Sequence, residues 1–112
     1  MHSFAYKNGS LHCENVNLAD IAAAVGTPVF VYSKKTIADD LAEFRNSMAE
    51  LDAHVAYAVK ACSNKAILNL MAQQGAGFDI VSGGELWRVI NAGGDPTQCT
   101  YAGVAKTEPE IR

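Results

Sequence analysis

The chain has 112 residues, 49% of them hydrophobic and 19% charged, with a formal net charge of −3 at neutral pH. That balance fits one ordinary globular domain and excludes a disordered tract, a basic nucleic-acid footprint and a polybasic membrane anchor. The longest all-apolar run, residues 21–25, is too short to span a bilayer, and residues 1–9 lack the basic start and apolar stretch of a secretory signal. Cys13, Cys62 and Cys99 are odd in number and widely spaced, so they read as free thiols of a reducing cytosol.

From the N-terminus, residues 4–7 and 11–14 flank Asn8-Gly9-Ser10, a hairpin around an Asn-Gly pair that tolerates positive φ. Asn17 then caps a short helix whose Leu18, Ile21, Ala22 and Val25 share one face, with Gly26 as its stop. Thr27-Pro28 breaks the chain before Val29-Phe30-Val31-Tyr32, which β-branched and aromatic content marks as a strand. Ser33 is placed to cap a longer helix, in which Ile37, Leu41, Phe44, Met48 and Leu51 fall on one stripe.

Strand and helix alternate from there. Residues 55–59 read as a strand, Ser63 as the cap of a helix carrying Ile67, Leu68, Leu70 and Met71 up to Gly75, and residues 78–81 as a second strand. Ser82-Gly83-Gly84-Glu85 has the serine and glutamate of a capping box. It opens a helix with Leu86, Val89 and Ile90 that stops at Gly93-Gly94. A third strand follows over residues 99–102. Tyr57, Asp79 and Tyr101 stand in comparable places, 22 residues apart each time. This alternation is the pattern of βα units around a parallel sheet. Thr107-Glu108-Pro109-Glu110 is a further capping box that announces a helix. Three short strands with two crossovers scarcely cover both faces of a parallel sheet, so the expectation is the front part of a larger α/β protein.

Two nucleotide motifs fail on inspection. Gly75-Ala76-Gly77 precedes a strand, whereas a dinucleotide fingerprint follows one, and Gly103-Val104-Ala105-Lys106-Thr107 lacks the glycines of a P-loop. His2, His12 and His54 have no metal-ligand spacing. Lys60 is different, because it stands where the apolar residues 56–59 end. In parallel βα folds the reacting groups sit at the C-terminal ends of the strands. A lysine desolvated there presents a neutral amine for Schiff-base chemistry, against the plainer alternative of a solvated strand-end lysine. Asp79 lies in the next strand between Phe78 and Ile80, where a carboxylate needs a partner. That partner is either Lys60, if the two strands are adjacent, or neighbouring backbone.

Tyr57-Ala58-Val59-Lys60-Ala61, followed by Gly75-Ala76-Gly77-Phe78-Asp79-Ile80-Val81-Ser82-Gly83-Gly84-Glu85-Leu86, closely resembles the fold-type III pyridoxal-phosphate decarboxylases. Within them it is most similar to the branch that acts on diaminopimelate. The opening hairpin and Gly26-Thr27-Pro28 also fit, so the resemblance runs over nearly the whole chain. It implies that Lys60 binds pyridoxal 5′-phosphate as a Schiff base, with Asp79 beside lysine and cofactor and Ala58 near the ring. Ser82 and its glycines would shape the loop and cap the helix, and Ala102-Gly103 would line the same mouth.

The resemblance further implies a cytoplasmic, homodimeric enzyme of lysine biosynthesis. It would convert meso-2,6-diaminopimelate to L-lysine and CO2, with no nucleic-acid, membrane or metal partner. The implied fold is the N-terminal portion of a (β/α)8 barrel over residues 33–112. Residues 1–32 (hairpin, short helix and strand) would join a C-terminal β domain. Two positions depart from the family pattern: Cys62 replaces the asparagine after Lys-Ala, and Ala105 replaces a glycine before Lys106. The phosphate-binding loop and other essential groups would lie beyond Arg112, so the 112 residues alone are expected to be inactive. The alternatives are a relative acting on another diamino acid or a carboxylated polyamine, and a catalytically silent homologue serving as an interaction module.

Overall fold

The computed structural model describes residues 3–111; His2, weighed above as a ligand, lies outside the described residues. Two compact units divide the chain, residues 1–44 and 45–112.

In the first unit, β1 (Phe4–Lys7) and β2 (Ser10–Cys13) pair antiparallel with Lys7 opposite Ser10, so the hairpin turn is Asn8-Gly9 alone. Their φ values of 51° and 81° are both left-handed, as a two-residue turn matched to the strand twist requires. A third strand, β3 (Val16–Asn17), pairs antiparallel with β2 and was not expected from sequence. The link is made by Glu14 at φ 55°, an unusual conformation for glutamate that composition does not signal. Asn17 caps α1 (Leu18–Val25) as expected: its side chain accepts from the Ala19 N–H at 2.9 Å, and Gly26 at φ 84° ends the helix. α1 packs against β2 and β3.

Residues 29–32 are not a strand. Val29, Phe30 and Tyr32 are exposed, and the segment pairs with no neighbouring strand among the described residues. Strand preference expresses itself only on a pleated, half-buried surface, and no such surface is offered there. Ser33 does cap α2 (Lys34–Ser47), its Oγ accepting from the Thr36 N–H at 3.0 Å. Of the apolar stripe, Leu41 is buried while Phe44 and Leu51 stay exposed. The helix stops at Ser47 because the next bonds, Met48 N–H to Arg45 O and Leu51 N–H to Met48 O, tighten to three-residue spacing.

The second unit is a parallel sheet in the order β4 (Ala56–Ala58), β5 (Gly77–Ile80), β6 (Cys99–Tyr101). α3 (Lys65–Gln73) and α4 (Gly83–Asn91) make the crossovers, and α5 (Glu108–Ile111) follows β6. The cap of α3 is Asn64, not Ser63, with its side chain accepting from the Ala66 N–H at 2.9 Å. Phe78, Leu68, Ile80, Val59 and Val89 are fully buried and form the core. Each contributes about 1.5–3 kcal/mol by leaving water. The α/β architecture expected from the alternating pattern is therefore present.

Candidate active site

Register decides which side chains share a face. Ala58 pairs with Asp79 and Asp79 with Thr100, while Tyr57 pairs with Phe78 and Phe78 with Cys99. The true pitch is one residue shorter than the 22-residue spacing of Tyr57, Asp79 and Tyr101. One residue of offset turns a side chain to the opposite face, so those three do not form a row. The row is Ala58–Asp79–Thr100. Phe78 and Ile80 are buried on the other face, which leaves Asp79 on the face opposite the core. Thr100 escaped the sequence reading because nothing local fixes a parallel register.

Lys60 sits just beyond the end of β4, in a single 3-10 turn over Val59–Ala61. Val59 is fully buried and anchors the turn, while Lys60 is exposed. The Tyr57 hydroxyl donates across the turn to the Cys62 carbonyl at 3.2 Å, and its ring meets Phe78 edge-on. The turn is thus pinned at both ends, and Lys60 projects from it at the C-terminal end of the sheet. The expected desolvation of Lys60 is not seen, because no described element covers it. Among the described residues, no ion pair joins Lys60 to Asp79.

Asp79 Oδ1 is buried and has no hydrogen-bond partner among the described residues. Neither of the two partners foreseen for that oxygen, Lys60 or neighbouring backbone, is present. A buried acceptor left unmade costs about 1–3 kcal/mol, and more if charged. Such a group calls for a donor from outside these residues, and Lys60 follows two residues after Ala58, the partner of Asp79 across the sheet. The residues present therefore fit a cofactor with a reactive carbonyl and a hydrogen-bond donor.

The turn after β5 is held from several sides. Ser82 Oγ accepts from the Glu85 N–H at 3.2 Å. The return half of the expected capping box is displaced by one residue, because Glu85 Oε2 accepts from the Val81 N–H at 2.8 Å. Gly103 packs so closely that a Cβ there would lie 2.4 Å from the Val81 carbonyl oxygen. Glu110 reaches back from α5: Oε1 accepts from the Gly83 N–H at 2.8 Å, and Oε2 accepts from the Thr107 N–H at 2.9 Å and the Thr107 hydroxyl at 2.7 Å. The Thr107 N–H bond is the return half of the expected capping box, and the Thr107 hydroxyl donates to the same oxygen. These bonds, first Thr107 N–H, then Gly83 N–H, with the Tyr101 hydroxyl adding to them, lower the Glu110 carboxyl to about 2. Burial, and then Glu110 itself, push the Tyr101 phenol up.

The remaining sequence candidates lie elsewhere. A shallow hollow lined by Arg45, His54, Val55 and Gly75 sits where β4 and β5 begin, away from the Lys60 end. The described residues hold no cluster of three His, Cys, Asp or Glu able to bind a metal. All three cysteines are free, and no described helix is long and apolar enough to cross a membrane.

Residues 34–112 match the family described as pyridoxal-dependent decarboxylase, pyridoxal binding domain. The chain belongs to this family. It is 45% identical over 112 residues to the diaminopimelate decarboxylase of Pseudomonas aeruginosa, covering all of this chain and 27% of that protein. The crystal structure of diaminopimelate decarboxylase from M. jannaschii superposes with a TM-score of 0.90 at 30% identity, over 97% of this chain and 26% of that one. Lysine decarboxylase from Selenomonas ruminantium superposes at 0.79 with 28% identity, over 99% of this chain and 28% of that one. The chain thus spans about a quarter of the length of these pyridoxal-dependent decarboxylases. In family terms, Lys60, Asp79, Ala58, Thr100 and the Glu110 contacts all lie in the pyridoxal-binding domain.

Proposed function

We propose that this chain provides the lysine-bearing part of a pyridoxal-phosphate decarboxylase that releases CO2 from meso-2,6-diaminopimelate and leaves L-lysine. The observation that carries the reading is the orphaned, buried Oδ1 of Asp79 beside the strand-end Lys60, within a domain of the pyridoxal-binding family. The relative from Pseudomonas aeruginosa, matched along the whole chain, supports diaminopimelate as the substrate. When bound, pyridoxal phosphate supplies the sink for the electron pair left as CO2 departs.

The residues here do the rest of what this segment contributes. Lys60 Nζ would be the amine that holds the cofactor through its carbonyl carbon. Asp79 Oδ1 would accept the hydrogen bond it lacks among the described residues and orient the donor of the bound group. Ala58, with one side-chain carbon in the same row, leaves space beside that carboxylate. In this reading residues 33–112 begin a (β/α)8 barrel, and residues 1–32 join a C-terminal β domain. The enzyme is cytoplasmic, in keeping with its free thiols, and homodimeric.

Borohydride reduction of the intact, cofactor-loaded polypeptide is expected to fix the label on Lys60. A labelled Lys65 or Lys106 would overturn the assignment, and a diaminopimelate assay that yields no lysine would overturn the substrate. The likeness to the Selenomonas ruminantium lysine decarboxylase favours a second reading, decarboxylation of another diamino acid. Release of a diamine from lysine in place of lysine from diaminopimelate would select it.

A further inference from the structure

We propose that Glu110 is a positioning residue: its carboxylate ties the turn after β5 to the loop after β6 and so sets where Asp79 stands relative to the bound cofactor. The inference rests on the reading of Lys60 and Asp79 given above. Segment 81–83 begins two residues after Asp79 and, besides the Ser82 cap, is held at three points. Glu85 takes the Val81 N–H, Gly103 abuts the Val81 carbonyl, and Glu110 takes the Gly83 N–H. The first comes from the helix the segment itself opens, and the second is a steric stop. The Ala102 N–H also bonds the Ile80 carbonyl at 2.9 Å and the Tyr101 hydroxyl shares the Gly83 N–H, but Glu110 brings its side-chain bond from α5, spanning 27 residues of sequence.

The same carboxylate is itself fixed by the Thr107 N–H and hydroxyl and by the Tyr101 hydroxyl. Its acceptor sites are therefore filled, and it has little freedom to move. Space is committed as well: a Cβ on Gly83 would lie 3.0 Å from Glu110 Oε1. A contact this specific, at the end of the sheet where Lys60 and Asp79 stand, serves alignment. Misplacing a reacting group by ~1 Å can cost on the order of 10²-fold.

The test uses the intact polypeptide that carries these residues. Pyridoxal phosphate affinity is read by fluorescence quenching, and melting temperature is measured without cofactor. Glu110→Gln keeps size and one acceptor but cannot accept from both Thr107 and Gly83. It is expected to weaken cofactor affinity by roughly tenfold or more, within the range that misplacement allows. Asp95→Ala removes the carboxylate that accepts from the Thr97 N–H at 2.8 Å just before β6, at the opposite end of the sheet, and serves as the control, lowering the melting temperature with affinity unchanged. Thr107→Val removes one donor to the carboxylate and should fall between wild type and Glu110→Gln. If Glu110→Gln binds the cofactor as wild type does, or loses affinity only as far as Asp95→Ala does, the positioning role is overturned. If wild type itself fails to bind pyridoxal phosphate, the functional reading falls, and this inference with it.

Discussion

Asp79 holds a combination that stability alone would not select: a buried carboxylate oxygen with no hydrogen-bond partner among the described residues. Its removal should therefore separate two properties that usually fall together. Asp79→Ala is expected to leave the cofactor-free melting temperature unchanged or raised, since an unsatisfied acceptor worth about 1–3 kcal/mol of cost disappears. Cofactor affinity should drop in the same variant. A fall in both would make Asp79 a structural residue. Gly103 is the opposite case, because its hydrogen is required by backbone. A methyl group there meets the Val81 carbonyl oxygen, which has no rotamer to yield. Gly103→Ala should cost about 1–3 kcal/mol, the usual range for overpacking, measurable by denaturant titration. The positions of Lys60 just past a strand end and of Asp79 within a strand were legible in the sequence, because an apolar strand ends near one and encloses the other. Thr100 and the reach of Glu110 to Gly83 were not, since both depend on strands and loops that meet only after folding.

At the scale of elements, what was written locally was read well. Asn17 and Ser82 cap helices with the bonds their side chains were expected to make, and Gly26 ends α1 in the left-handed conformation only glycine adopts freely. Ser82→Ala is accordingly expected to cost about 0.5–2 kcal/mol of thermal stability. The misreadings share one cause. Residues 29–32 have strand composition without a strand beside them, and the Tyr57–Asp79–Tyr101 row failed because parallel register is set by packing across the sheet. Ser63 lost the cap to Asn64 by a single position, within the tolerance of helix boundaries.

The contacts of Glu110 also carry a pH signature. Its carboxyl is lowered from the usual 4.5 to about 2, so the native state favours the ionised form. That stabilisation is complete above the unfolded value and is lost as pH falls from 4.5 toward 2. The melting-temperature gap between wild type and Glu110→Gln should be constant above about pH 5 and close on acidification. A gap that widened in acid would contradict the assignment.

As a whole molecule, the 112 residues present surfaces that a finished domain rarely leaves open. β4 and β6 are the edges of a three-stranded parallel sheet, and Phe44, Leu51, Trp87, Ile90 and Ile111 are all substantially exposed. Parallel sheets are ordinarily covered on both faces, and unpaired edges invite strand addition. Produced alone, this polypeptide is expected to self-associate, with a sedimentation coefficient that rises with concentration. A monomer with a sharp unfolding transition independent of concentration would show that the second unit is self-sufficient.

The family match begins at residue 34, yet the N-terminus of α2 is secured from further back. Glu14 Oε1 accepts from both the Ser33 hydroxyl and the Lys35 N–H, and the Ser33 Oγ in turn caps Thr36. A recombinant domain trimmed to the matched span would lose both oxygens at once and begin on a frayed first turn. The ancestry of the domain and its mechanical boundary do not coincide: the hairpin before it acts as the clamp on its first helix.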